Sequence, residues 1–105
     1  MKIDVTKPIL DYENNVMKAD DGNTFTIRSA FGVALNNLAP NEVVTAENKA
    51  KIYMLSIKLF KSKEVDFTLD DRAFIKERAG RVLGSALTYG RICDILEKET
   101  HQEVK

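Results

Sequence analysis

The sequence predicts an α+β fold: a small N-terminal antiparallel β-meander packed against about four α-helices. Three observations carry that reading. Short apolar pairs alternate with Asx-rich clusters between Pro8 and Ile27. Four later stretches carry apolar residues at spacings of three and four. Capping or breaking residues stand where those stretches begin or end. A chain of 105 residues, 44% hydrophobic and 30% charged, has material for one core, so 1–105 is expected to form a single domain.

From Lys2 to Val5 polar and apolar residues alternate, and Pro8 then lacks a backbone donor. This reads as a short strand or extended arm at an edge. Ile9-Leu10, Val16-Met17 and Thr24-Phe25 are the next extended pairs. Between them lie Glu13-Asn14-Asn15 and Asp20-Asp21-Gly22-Asn23, residue types that accept left-handed backbone and fold their side chains onto their own main chain. Val65-Asp66-Phe67 alternates as well and is a candidate for one more short strand. The residue types show no internal repeat and no low-complexity segment.

Ile27, Ala30, Phe31, Ala34, Leu35 and Leu38 form the first helical stripe, with Thr26 as N-cap and Ala39-Pro40-Asn41 as the stop. Gly32 within it lowers helix propensity and leaves room for another backbone to come close. The second helix starts after Thr45, with Glu47 near the positive end of its dipole. Ile52, Leu55 and Leu59, joined by Tyr53 and Phe60, predict that it is well buried. The third starts at the cap Thr68, with Asp71 in capping-box position and Leu69, Phe74, Ile75, Ala79 and Val82 as its inner face. After a break at Gly84-Ser85 the fourth places Ala86, Tyr89, Cys93 and Leu96 on one side, with Ile92 and Ile95 beside them. The polar end 98–105 is expected to fray.

Sixteen basic and sixteen acidic residues cancel, so no global field draws the chain to nucleic acid or to an acidic membrane. The N-terminal residues form neither a secretory apolar region nor a membrane span, and no membrane association is expected. A lone cysteine suits a reducing compartment; Cys93 on an apolar helix side reads as core. His101, the single histidine, stands in the polar end, far in sequence from any metal or nucleophile partner.

The Asx-rich corners fail as a calcium loop, because Phe25 and Ile27 stand where ligands are required, and with Gly22 alone they fail as a phosphate cradle. Asp20-Asp21 and Asp70-Asp71 already serve a turn and a helix start, and no serine sits in a nucleophile elbow. The expectation is therefore a protein that is not an enzyme and takes no cofactor or metal. Two surfaces stand out for recognition. Lys51, Lys58 and Lys61 share roughly one helical face, able to neutralise an acidic partner or a nucleic-acid backbone. Tyr89 and Arg91 on the last helix are residue types common at interaction hot spots.

The order of segments "PILDYENNV", "DDGNTFTI", "RSAFGVALNNL", "KIYMLSIKLF", "EVDFTLDDRAFIKERA" and "LTYGRICDILE" resembles a group of small uncharacterised proteins encoded by tailed bacteriophages and prophages. There a "PILD…G" start precedes a helix and a "YxLAxKLY…EVxLTxEDxxLIKE" segment. The resemblance runs from Lys7 to about Glu97 and departs at "GSALTYG", where the pattern places a proline before the last helix. It implies a phage accessory protein working in the bacterial host cytoplasm or associated with the virion. Its action would be binding to a phage structural component or a host protein, with a homodimer as one form. The contact surface would be the lysine face or a sheet edge. The alternative is a small nucleic-acid-binding regulator using the lysine-rich helix face.

Overall fold

The computed structural model describes residues 2–104, with side chains described through residue 97. In chain order the elements are β1 (Ile3–Asp4), α1 (Ile27–Asn36), α2 (Ala46–Lys61), β2 (Glu64–Val65), α3 (Leu69–Val82) and α4 (Ala86–Val104). The α+β class and the four helices agree with the sequence reading. The end expected to fray, 98–105, lies outside the residues whose side chains are described.

The named strands form a two-stranded antiparallel sheet, Ile3 opposite Val65 and Asp4 opposite Glu64. Alternation explains the faces: Ile3, Val5, Val65 and Phe67 are buried while Glu64 and Asp66 are exposed. The sheet thus ties the N-terminus to the segment between α2 and α3.

Residues 8–26 pair antiparallel through single bridges rather than continuous strands: Pro8 with Thr26, Leu10 with Val16, and Lys18 with Thr24. Their hydrogen bonds close a ring. Ile9 N–H donates to the Phe25 carbonyl (2.8 Å), Phe25 N–H to Met17 (2.9 Å), and Met17 N–H to Ile9 (3.1 Å). The donors are eight residues apart, and so are the two left-handed positions, Asn14 (φ 66°) and Gly22 (φ 86°). Each closes a four-residue turn, with Asn14 N–H on the Asp11 carbonyl and Gly22 N–H on the Ala19 carbonyl. An eight-residue structural repeat therefore exists where the residue types show none, since the two turns share little beyond Asn15 and Asn23. The ring turns Ile9, Met17 and Phe25 toward the core.

α1 is the centre of the fold and packs against α2, α3 and α4. Ala30, Phe31, Ala34 and Leu35 are all at most 1% exposed. Thr26 caps its start, accepting from Ser29 N–H at 3.1 Å, and the helix ends at Asn36, so Leu38 falls beyond it and is exposed rather than part of the stripe. Phe31 meets Phe67 with ring centroids 5.9 Å apart in a tilted arrangement, joining α1 to the residues after β2. On α3 the expected capping box of Thr68 and Asp71 is present, and Ile75 and Ala79 face the core. Leu69, expected inside, is the first residue of α3 and is 61% exposed, whereas Arg72 and Arg78 are buried. On α4, Ile92 and Leu96 are buried, Cys93 is only half-buried and Ala86 is exposed. Ser85 Oγ accepts from Thr88 N–H at 3.2 Å and starts that helix.

Candidate functional site

α2 differs from its expectation, and the difference makes the site. Thr45 caps it (Asn48 N–H to Oγ1, 3.1 Å) and Glu47 lies in the first turn, as the sequence predicts. Its apolar residues, however, cover two sides. Leu55 and Leu59 are buried and Ile52 is half-buried against α1. Tyr53, Met54, Ile57 and Phe60 are 65%, 67%, 47% and 57% exposed. The expected full burial fails because α1 covers one side of α2, and among the described residues no element packs over Tyr53, Met54 and Ile57 enough to bury them.

The contact with α1 fixes the edge of that exposed face. Asn36 Nδ2 donates to Ser56 Oγ at 3.1 Å. A Cβ on Gly32 would stand 3.0 Å from the Phe60 ring, so glycine lets this aromatic side chain, rather than a backbone, lie on α1. Arg28 donates to the carbonyls of Leu59 (3.1 Å) and Ser62 (2.8 Å), where the end of α2 leaves oxygens unpaired, and its guanidinium lies 6.0 Å from the Phe60 ring centre. Where α1 ends and α2 begins, an open groove of about 450 Å³ is lined by Leu35, Leu38, Val43, Lys49 and Ile52.

The lysines of the sequence reading do not share one free face. The Lys51 ammonium lies 5.0 Å from the centre of the Phe74 ring. Lys58 lies 5.5 Å from that of Phe67 and 3.9 Å from the Asp71 carboxylate. Both therefore lean toward α3 and its approach, while Lys61 is exposed in the last turn of α2.

Tyr89 and Arg91 sit on α4. Tyr89 is half-buried, its ring against Gly80 of α3, and its hydroxyl is held above the ordinary phenol value chiefly by a hydrogen bond with the Cys93 thiol. Arg91 Nε donates to the Leu10 carbonyl at 2.9 Å, and its Nη2 donates to the Asp11 carbonyl. This guanidinium clamps α4 to the first turn of the ring. Sequence reasoning missed that role because its partners lie some 80 positions away.

The remaining polar groups shape the fold. Asp11 Oδ1 accepts from the N–H groups of Glu13 (2.8 Å) and Asn15 (2.9 Å), and Asp21 Oδ1 from Asn23 (2.9 Å), which is corner chemistry. Arg78, buried on α3, donates to Glu42 and to the Asn37 carbonyl (2.7 Å), closing the α1–α2 connection onto α3. Glu42 also accepts from Ala39 N–H at 2.9 Å, and its carboxyl is held below the ordinary range, mainly by Arg78. Lys76 donates to Glu97 and is raised by that bond. Among the described residues no group of three His, Cys, Asp or Glu side chains could hold a metal ion, and no helix is long and apolar enough to cross a membrane. His101 lies outside the residues whose side chains are described.

Comparison with protein-family models, with curated proteins and with solved structures finds no match to this chain.

Proposed function

We propose that this protein is a non-enzymatic interaction module that binds another protein through the outer face of α2. One observation carries the reading: four large apolar side chains, Tyr53, Met54, Ile57 and Phe60, stand exposed on one helix whose other side already fills the core. Contiguous apolar surface on a small folded chain is characteristic of contact sites. The setting is the one the phage resemblance implies, an accessory protein in the bacterial host cytoplasm or on the virion, docking on a phage component or a host protein. The sheet edge is a poorer surface, because each named strand is two residues long. The nucleic-acid reading has less support, since Lys51 and Lys58 rest on aromatic rings beside α3 instead of forming a stripe with Lys61.

The test is affinity recovery of tagged protein from phage-infected cells, comparing wild type with Ile57→Glu. A specific partner recovered with wild type and lost with the variant is the expected result. An unchanged partner set, with the variant folded by circular dichroism, rejects α2 as the surface.

A further inference from the structure

We propose that the α2 face takes an acidic, amphipathic α-helix of another protein; this rests on the reading of that face as a binding surface. Charge favours this occupant. Between Ile27 and Lys63 the chain carries six basic residues, Arg28, Lys49, Lys51, Lys58, Lys61 and Lys63, against Glu42 and Glu47. The rest of the chain carries ten basic and fourteen acidic residues, so in a neutral chain the segment 27–63 is basic and the remainder acidic. Glu42 turns inward to Arg78, and Lys51 and Lys58 lean toward α3, Lys58 beside Asp71, so the exposed charges left on α2 are Lys49 and Lys61 against Glu47. A second copy meeting this face across a two-fold axis would bring the same lysines onto themselves. An acidic partner meets complementary charge at the rim and apolar side chains at the centre.

Shape favours it as well. Tyr53, Ile57 and Phe60 follow i, i+4, i+7 spacing, and Lys49 lies one turn ahead of Tyr53. The groove lined by Leu35, Leu38 and Ile52 opens beside that first turn. The path along α2 is about 24 Å long at 1.5 Å per residue, the length of a four-turn helix. α1 and α2 satisfy their own backbone groups and present no strand edge on this side, so an extended peptide has no ladder to join. A helix laid along the face does not need one.

The probe is a yeast-displayed library of random peptides, each about 16 residues long, selected against the full chain. Expected winners carry apolar residues at i, i+3 or i+4, and i+7, with Asp and Glu elsewhere. Their binding should weaken about tenfold or more in Ile57→Glu and in Lys49→Glu/Lys61→Glu, and should fall with added salt. Both variants change exposed side chains, and thermal melting verifies that each is folded. Winners that need Ile57 but are basic, neutral or strand-patterned overturn the acidic helix and leave the binding face standing. So does a dimer, seen by sedimentation of wild type, that Ile57→Glu dissociates. Winners indifferent to Ile57→Glu, or no winners at all, overturn both.

Discussion

Arg91 and Glu42 show how the charged residues of this chain serve the fold. Arg91 directs its guanidinium at the Leu10 carbonyl and at the Asp11 carbonyl, which also accepts from Asn14 N–H, so the Leu10 oxygen depends on it most. Arg91→Met keeps the aliphatic stem and removes the donors. It is expected to cost about 1–3 kcal/mol, the range for leaving such groups unsatisfied, and to speed amide exchange at Asn14 and Asn15 without affecting binding through α2. Chemical denaturation and hydrogen exchange read both effects; weakened binding at unchanged stability would return Arg91 to the contact surface. Glu42 sets a pH dependence. Because Arg78 and the Ala39 amide hold its folded pKa below the unfolded value, its contribution is complete above about pH 4.3 and is lost as pH falls through the folded value. Asp4, lowered by the Thr6 hydroxyl and amide, acts in the same direction. Urea midpoints should therefore fall less steeply on acidification in Glu42→Gln than in wild type, with the residual slope from Asp4 still present.

At the scale of elements, the helices were legible because their signals are local. Thr26, Thr45 and Thr68 can be read as caps from residue type and position, and each accepts from the N–H three residues on. The extended pairs and the two turns of the ring were legible, but its closure was not. Each of its bridges involves one residue pair, too short for a period of two, and its closure depends on three segments meeting at once. The exposed side of α2 was misread for a related reason: periodicity reports which residues are apolar, and a helix apolar on both sides reads as buried whether or not a second neighbour exists. The site was therefore half legible, its helix and residues visible and its exposure hidden. Gly32 tests how α1 and α2 meet. Alanine there gains up to about 1 kcal/mol of helix propensity, and the atom in its way is the tip of the 57% exposed Phe60 ring, which can swing aside. Gly32→Ala is expected to raise the thermal midpoint; a lower midpoint would mean that the Phe60 ring is pinned in its place.

Across the whole molecule, two features combine. The core is organised around α1, which touches the other three helices, and among the described residues one side of α2 stays exposed. Charge is divided so that this uncovered side belongs to the basic part of a neutral chain. The account depends on Tyr53, Met54 and Ile57 contributing little to folding, so that their apolar character serves contact with something else. Equilibrium denaturation of the triple variant Tyr53→Gln, Met54→Gln, Ile57→Gln tests this directly, because glutamine keeps good helix propensity while removing the apolar surface. Stability within about 1 kcal/mol of wild type is the predicted result, the usual scale for changes on an exposed surface. A loss of about 3 kcal/mol or more, as expected for truncating the buried Leu59 to alanine, would show that the face belongs to the core and would contradict the account.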